Sequence, residues 1–436
     1  MTYTVTLSGD TDVILTAGVY AISYTPKSAA RKDELVTESS VVRVLASSLT
    51  TQQAAINNIE KVFEQARRRR MMGSGSHCYI RMAESGDSDT FRSELWAEDP
   101  NELPGRVVIL EPTMTSRIFD NFVAKLQVIW TRRNYWENGV EAELALTNGP
   151  SITNPGYVQI ESSDCFGTMP TPLRIEMTNS DSDNDIETMW IGLNYLSTPG
   201  SFDDSLEFEE SDSDDIASSD ASGALYRQYN VTTTETKLKS WTITGTQLGY
   251  AASRYFKAMV RFFDGTDLTN VKLRMKMSYG GQTLWSGKQV EYDDTYTNSY
   301  IWREVDTLQL PPYPLEGNTS ASISLELWGI STTGSTETIK PDLLELLPLD
   351  GYRKLVSNSG VTEASVLIDD GIKDIKYQKI STAIVSDISA EGEPIHIWPG
   401  LDNRLYFIWH ADDSDTAPIT DAISVKAYYR ERRSTL

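Results

Sequence analysis

Apolar and polar residues alternate along most of this chain, which is the pattern of strands that bury one face and expose the other. The alternation is regular in residues 271–277 and 323–327. Two longer stretches, residues 124–146 and 405–429, each contain two alternating runs. In the first stretch, Asn138-Gly139 separates the runs, and this pair tolerates the positive φ of a tight hairpin turn. The pattern therefore predicts two long hairpins in a mostly β protein.

One segment, residues 50–72, has helical spacing instead. Its apolar residues recur every three or four positions, at Ile56, Ile59, Val62, Phe63 and Ala66. Thr50 and Gln53 match a capping box at the start, and Gly73 marks the end. The last turn carries four arginines, at the negative end of the helix dipole: Arg67, Arg68, Arg69 and Arg70. We predict one prominent helix within the first domain.

Turn-forming residues suggest how the chain divides into domains. Residues 148–156 contain Gly, Pro, Asn, Ser and Thr in close succession, which is typical of a boundary. We predict an N-terminal β domain over 1–150 and a jelly-roll domain over 151–350. Residues 351–436 form either a small β domain or strands that complete the first one. The predicted fold class is mainly β, a multi-domain β-sandwich or jelly roll with one helix.

Net charge narrows the classes of partner. The formal charge is −23, and phosphate binding needs a basic surface, so nucleic acid is excluded as a partner. No apolar run approaches the roughly 20 residues that span a bilayer, and no signal peptide is evident, so we expect no membrane insertion. Two cysteines, Cys78 and Cys165, do not suggest a disulfide framework, which fits synthesis in a cytoplasm.

The acidic residues are concentrated in one part of the chain. Residues 176–225 contain fourteen Asp and Glu and no Lys or Arg, and the segment 201–222 is a low-complexity Asp/Glu/Ser loop. Asp181-Ser-Asp-Asn-Asp185 is similar to the start of a calcium loop. Ile186 stands where that loop needs Gly, and Gly192 where it needs Glu. We expect no cofactor, with a weak Ca²⁺ site in the acidic loops as the alternative.

No residue pattern indicates a reaction centre. His77, His396 and His410 have no second His or Cys at a spacing that suits a metal, and no catalytic motif is found. We expect no enzymatic activity; a glycoside hydrolase is the last alternative, because an acidic sandwich offers many carboxylates. Trp241, Trp285 and Trp302 could stack on sugar rings, although tryptophans in sandwiches are usually core residues.

Several motifs carry a resemblance to phage proteins. Leu126-Gln-Val-Ile-Trp130-Thr-Arg-Arg-Asn-Tyr-Trp136, with residues 144–149, resembles the end of the ring-forming domain of siphophage distal tail proteins. Residues 170–179 resemble the opening of a jelly-roll module of phage tail and carbohydrate-binding proteins. Residues 397–407 and 425–430 resemble the end of similar virion proteins. The length departs from the family, since about 85 residues follow the jelly roll.

The resemblance implies a hexameric ring at the tail tip of a virion. The first domain would join the tail tube, and a tape-measure protein or tail hub and receptor-binding proteins would be further partners. Segregation of charge and the predicted hairpins give the candidate residues of the subunit interface: Arg67, Arg68, Arg69, Arg70, Trp130, Trp136, Arg432 and Arg433. The alternative function is recognition of host-surface glycans, with Trp241 and Trp285 as stacking residues.

Overall fold

The computed structural model places much of the chain. It describes residues 3–22, 27–32, 35–72, 77–84, 91–116, 121–148, 151–180, 185–196, 205–207, 215–218, 221, 225–263, 266, 268–292, 301–312, 320–385, 387–411 and 422–434. The protein is mainly β, as the sequence predicts, and a long helix lies in the N-terminal region.

The elements follow one another in the order β1 (Tyr3–Ser8), β2 (Val13–Ile14), β3 (Tyr20–Ile22), β4 (Lys27–Lys32), β5 (Leu35–Ala46), α1 (Leu49–Met71), β6 (Tyr79–Glu84), β7 (Phe91–Glu94), β8 (Gly105–Ser116), β9 (Asn121–Arg133), β10 (Trp136–Asn138), β11 (Ala142–Glu143), β12 (Ser151–Thr153), β13 (Gly156–Ile160), β14 (Thr171–Pro172), β15 (Arg174–Asn179), β16 (Ile186–Leu196), β17 (Ser205–Glu207), β18 (Asp215–Ala217) and β19 (Leu225–Arg227). The remaining elements are β20 (Tyr229–Val231), β21 (Thr236–Ile243), α2 (Gly245–Ala251), β22 (Tyr255–Phe262), β23 (Val271–Tyr279), β24 (Gln282–Ser286), β25 (Val290–Glu291), β26 (Ile301–Gln309), β27 (Ile323–Ser331), β28 (Glu337–Ile339), β29 (Pro341–Pro348), β30 (Gly351–Val361), β31 (Val366–Asp370), β32 (Ile375–Ile380), β33 (Ala383–Val385), β34 (Ile388–Glu391), β35 (His396–Ile397), β36 (Asp402–Ala411), β37 (Ala422–Tyr429) and β38 (Arg432–Arg433).

The chain divides into two compact units. Unit 1 comprises Met1–Ala142, Phe166–Thr171 and Arg430–Leu436, and unit 2 comprises Glu143–Cys165 and Pro172–Tyr429. In unit 1, one sheet has the strand order β2-β1-β6-β7-β10-β38, and the other has the order β3-β5-β9-β8, with β4 also paired to β5. Helix α1 packs against β5, β8 and β9, and its apolar face closes the core of this unit.

The predicted helix is confirmed, but its start differs from the prediction. Ser48, not Thr50, is the N-cap: its backbone is extended, with φ −148°, and its hydroxyl accepts a hydrogen bond from the Thr51 amide at 3.1 Å. The predicted capping box of Thr50 is therefore wrong, because Ser48 supplies the capping oxygen two residues earlier. Gly73 lies outside the described residues.

The predicted hairpin across Asn138-Gly139 is wrong. Strand β9 pairs with β5 along the full length of β5, and with β8 on its other side. Because both edges of β9 are occupied, the residues that follow Asn138 cannot pair with it. The short strand β10 pairs instead with β7 and β38.

The predicted hairpin of residues 405–429 is also wrong. Strand β36 pairs with β13 and β16, whereas β37 pairs with β12 and β15 in a different sheet. The alternating side chains of both strands, including Phe407, Trp409, Val425 and Ala427, meet in one core from opposite sheets. Alternation shows that a strand buries one face, but it does not show which strand is its neighbour.

Unit 2 contains one sandwich inserted into another. The outer sandwich has one sheet that includes β37-β15-β31-β32-β33 and a second with the order β13-β36-β16-β30-β34. Strand β16 pairs with β30, so the chain between them is an insertion. That insertion forms the inner sandwich, whose sheets have the orders β17-β29-β22-β26 and β21-β27-β23-β24. Its core is separate from that of the outer sandwich.

The observed division differs from the predicted domains at 1–150, 151–350 and 351–436. Residues 351–429 complete the sandwich that residues 143–196 begin, and 430–436 return to unit 1. The turn composition at 148–156 falls inside unit 2, whose first segment begins at Glu143. It carries no information about pairing between β16 and β30, because those strands are far apart in sequence.

Glu304 of β26 joins the two sandwiches of unit 2. Its carboxylate accepts hydrogen bonds from Trp190 Nε1 at 2.8 Å on β16 and from Lys257 Nζ at 2.7 Å on β22. The Tyr352 hydroxyl on β30 lies 3.4 Å away. An apolar cluster next to this network consists of Trp190, Met259, Trp302, Leu343, Leu347, Tyr406 and Ile408. The insertion is therefore fixed to its host by both apolar packing and a shared carboxylate.

We predict that Glu304→Gln destabilises unit 2 more at neutral pH than in acid. Burial raises the pKa of Glu304, but the hydrogen bonds from Lys257 and Trp190 and the charges of Lys257 and Lys354 together outweigh it, so the pKa lies below the ordinary 4.5. A carboxyl whose pKa is lower in the folded state contributes stability above its unfolded pKa and loses it as the pH falls through the folded value. Chemical denaturation from neutral pH to acid measures the difference from wild type.

The control for this experiment is Glu363→Gln, which changes an exposed carboxylate of the same unit. We expect Glu363→Gln to match wild type throughout the range of pH. A destabilisation by Glu304→Gln that stays constant with pH would contradict the assignment.

Candidate assembly surface

The four consecutive arginines of α1 have different roles in unit 1. Arg69 pairs with Asp10 and donates to the His77 carbonyl at 3.2 Å. Arg70 donates to the backbone carbonyls of Ala97 and Glu98. The guanidinium of Arg70 also lies 3.9 Å from the ring centre of Trp96. Arg69 and Arg70 therefore bind the helix end to its own unit.

Arg67 and Arg68 belong instead to the surface of the helix. Both donate to the Glu64 carboxylate, at 2.7 Å and 2.8 Å, and the side chain of Arg68 is 69% exposed. Hydrogen bonds from Arg67 and then Arg68 lower the pKa of Glu64 to about 2. Such pairs on an exposed helix face are weak, since solvent screens them. Of the four predicted residues, Arg68 is therefore the most accessible to a partner.

Trp130 and Trp136 are core residues of unit 1, so their predicted place in a subunit interface is wrong. Trp130 is fully buried, and its indole N–H donates to Glu38 at 3.0 Å. Arg132 donates to the same carboxylate at 2.7 Å, and its guanidinium lies 4.3 Å from the ring centre of Trp136. The alternation that places Ala124 on the inner face of β9 also places Trp130 there.

Arg432 and Arg433 form β38 at the margin of a sheet of unit 1, beside β10. Arg432 lies 4.0 Å from the ring centre of Tyr135, and 3.6 Å separate its guanidinium from the Glu137 carboxylate. The Arg433 side chain is 43% exposed and lies 4.5 Å from the ring centre of Phe91. Arg433 also pairs with Glu431, so both arginines have partners within unit 1, and Arg433 is the more exposed of the two.

Glu137 brings together arginines from distant parts of the chain. Besides Arg432, it accepts from Arg92 at 3.3 Å and from Arg430 at 3.5 Å. The sequence did not predict a role for Arg92, because residues 92 and 430 are far apart in sequence and lie close together only in the folded chain. The three arginine side chains are only 13–16% exposed, so they form a mostly buried charge cluster around Glu137.

Strand β8 presents the clearest exposed apolar surface of unit 1. Val108, Ile109 and Leu110 are 37%, 60% and 44% exposed. Within the described residues, β8 pairs with β9 alone and ends the sheet. An edge strand with free backbone groups and apolar side chains is a template for another chain. This edge was not predicted from the sequence, although the four consecutive apolar residues at 107–110 break the alternation and are a signal for it.

Bulges limit how much of β8 can pair regularly. The register with β9 shifts between Ile109 and Glu111 and again between Glu111 and Met114. Bulges bend a strand and interrupt its ladder, which discourages unspecific pairing. The regular part of the edge therefore runs from Gly105 to Ile109.

Two of the predicted glycan-stacking positions are buried. Trp241 is 8% exposed within the core of the inner sandwich, and Trp302 is 2% exposed next to Glu304. Neither ring has a free face for a sugar, so the prediction for Trp241 is wrong. Trp285 is half-buried against the same core, and its role in glycan binding stays a prediction.

Among the residues that the structure describes, no group of three or more His, Cys, Asp and Glu side chains is arranged to hold a metal ion. Residues 181–184 of the calcium-like run lie outside the described residues, as does most of the acidic loop 201–222. In the described ranges, no helix is long and apolar enough to cross a membrane.

Comparisons with known proteins find similarity only among solved structures. No family model matches the chain, and no curated protein matches it. The infectious bursal disease virus VP2 subviral particle aligns at 11% identity with a TM-score of 0.19, over 66% of this chain and 78% of that one. The phage P2 baseplate in its activated conformation with Ca aligns at 8% identity with a TM-score of 0.20, over 75% of this chain and 98% of that one. TM-scores this low assign neither a residue nor a role.

We predict that Arg70→Ala destabilises unit 1 by about 1.5–3 kcal/mol, the range for hydrogen bonds that involve a charged group. The variant removes both carbonyl contacts and the packing on Trp96. Arg68→Ala is the matched control, because Arg68 lies two residues earlier in the same helix. It should leave the denaturation midpoint unchanged. Equal effects of the two substitutions in chemical denaturation would contradict the division of roles within the arginine run.

Proposed function

We propose that this chain is a structural subunit of a phage virion, of the distal tail type, that assembles with copies of itself. The observation that carries the proposal is the exposed apolar edge of β8, at Val108, Ile109 and Leu110. Strand addition across such an edge satisfies the free backbone groups and buries the apolar side chains together. The role is non-catalytic and requires no cofactor.

The resemblance of residues 126–149 to ring-forming domains of distal tail proteins supports the same role. On that resemblance, the oligomer is a hexameric ring in the virion tail. Its partners are the tail tube, a tape-measure protein or tail hub, and receptor-binding proteins. A closed ring pairs one surface with a different surface of the next copy, so a single free edge per subunit suffices.

Charge distribution supports pairing between copies. The outer face of the β5-β9-β8 sheet carries Arg43, Arg106 and Lys125, of which Lys125 pairs with Glu111 at 2.8 Å, whereas residues 176–225 contain only acidic charges. Surfaces of opposite charge guide association and suppress wrong partners. We therefore propose that acidic segments of one copy or of a partner lie near the basic sheet face of another.

We predict that Val108→Lys combined with Ile109→Lys abolishes self-association. A lysine buried at a subunit interface without an acidic partner is strongly unfavourable. Both positions are exposed in the separate subunit, so folding should be preserved. Sedimentation velocity of the purified chain measures the mass of the assembly.

The control is Leu284→Lys, at an apolar position that is 48% exposed on the inner sandwich. It should sediment like wild type. A wild-type chain that is monomeric at every concentration, or a double variant that still assembles, would contradict the proposal.

A further inference from the structure

The outer sandwich of unit 2 has a margin at which both of its sheets end. One sheet ends with β32 and β33, and the other ends with β34. A groove of about 530 Å³ lies at this margin, and it is lined by Asp374, Ile375, Lys376, Tyr377, Ile384 and Ile388. The lining residues belong to β32, β33, β34 and the turn before β32. The groove is therefore bordered by strands of both sheets.

Strand β33 covers only part of the edge of β32. Val385 pairs with Gln378, and Ala383 pairs with Ile380. Residues 375–377 pair with β31 on one side, and within the described residues they have no neighbouring strand on the other side. Backbone hydrogen-bonding groups of a strand point to both of its sides. An added strand in line with β33 would therefore complete the ladder along β32.

The side chains beside this open segment form an apolar row. Ile375 is 46% exposed and Ile384 is 67% exposed. Ile384 pairs with Lys379, so it lies on the same face as Ile375 and Tyr377, because alternate residues of a strand share a face. Ile388 reaches the groove from the core of the sandwich. Apolar side chains of an added strand would be buried against this row.

Two lysines of β32 give the groove a charge preference. Within the described part of the chain, neither Lys376 nor Lys379 forms a salt bridge. Lys376 is opposite Asp369 on β31, but Arg353 already donates to that carboxylate at 3.2 Å. Asp374 also lines the groove, in the turn before the strand. Because opposite charges are favoured in directly opposed cross-strand positions, an acidic residue suits the position opposite Lys376.

The β8 edge of another copy does not fit this pattern. Its regular part, from Gly105 to Ile109, contains Arg106 and no acidic residue. If it paired with the open segment, Lys376 would be opposite an apolar or a basic side chain, and a basic one is unfavourable there. The contact between copies proposed for β8 is therefore separate from this groove.

We propose that the groove binds an extended segment of a partner protein by strand addition. The segment continues the line of β33 and has an acidic residue opposite Lys376, with apolar residues opposite Tyr377 and Ile375. Main-chain hydrogen bonds to β32 provide affinity, whereas the apolar row and Lys376 select the sequence. The site uses no residue of β8, so it is independent of the proposed assembly between copies.

The test is fluorescence anisotropy of two labelled peptides that are titrated with the full-length chain. The peptides have the same Ser/Thr flanks, and their cores are Val-Glu-Val and Val-Lys-Val. We expect saturable binding of the glutamate peptide. The lysine peptide should bind about tenfold more weakly, because a like-charge pair replaces an attractive one. Lys376→Glu should reverse this preference, since it changes the sign of the charge opposite the central residue.

Ile384→Glu tests the apolar row from an exposed position. It should lose binding of the glutamate peptide while its melting temperature stays at the wild-type value. Lys288→Glu is the control, because it makes the same change of charge as Lys376→Glu at an exposed lysine of the inner sandwich. It should bind the glutamate peptide as wild type does.

The inference is overturned if neither peptide binds, if both bind equally, if Ile384→Glu binds like wild type, or if Lys288→Glu also loses binding. It is also overturned if Ile384→Glu prevents self-association in sedimentation velocity, because the occupant would then be another copy. The double variant Val108→Lys with Ile109→Lys should still bind the glutamate peptide. That result distinguishes a failure of this inference from a failure of the proposed assembly.

Discussion

The pairing of β16 with both β30 and β36 is the constraint on which the rest of unit 2 depends. Strand backbones must satisfy their hydrogen bonds, and β16 does so with segments that follow the insertion in sequence. Closing so long an insertion has an entropic cost that rises only slowly with length. Packing of Trp190 against Trp302, and the hydrogen bonds of Glu304, contribute the contacts that offset it.

Both units of the protein also contain buried pairs of an arginine and a carboxylate. Arg132 donates to Glu38 at 2.7 Å in unit 1. In unit 2, Arg261 donates to Asp342 at 2.6 Å in the inner sandwich, and Arg353 donates to Asp369 at 3.0 Å in the outer one. Desolvation of such pairs offsets most of their attraction. We therefore attribute to them a role in selecting the neighbouring strand more than a large net stabilisation.

The sequence predicted the β class, the long helix and the buried faces of many strands. The alternation in residues 271–277, for example, matches the buried positions of β23. It could not predict pairing, because alternation gives the face of a strand and not its partner. The two hairpins failed for this reason, since β5 occupies the edge of β9 and since β36 and β37 lie in different sheets.

The candidate sites show the same limit. Trp130 could have been assigned to the core from its register with Leu126 and Val128, and Val108 could have been recognised from the apolar run around it. The cluster around Glu137 could not, because Arg92 and Arg430 reach this carboxylate only after the chain folds. Sites that form only when residues distant in sequence come together cannot be predicted from local sequence patterns. Exposed edge strands and buried strand faces can be, because a few consecutive residues indicate them.

We propose that one copy meets the next at the β8 edge. Hydrogen–deuterium exchange of the backbone amides of Gly105–Ser116, compared between the assembled and the dissociated chain, measures whether this edge becomes covered. We expect slower exchange of β8 amides in the assembly, with little change in the inner sandwich. Equally fast exchange of β8 in both states would show that the edge is not the contact between copies.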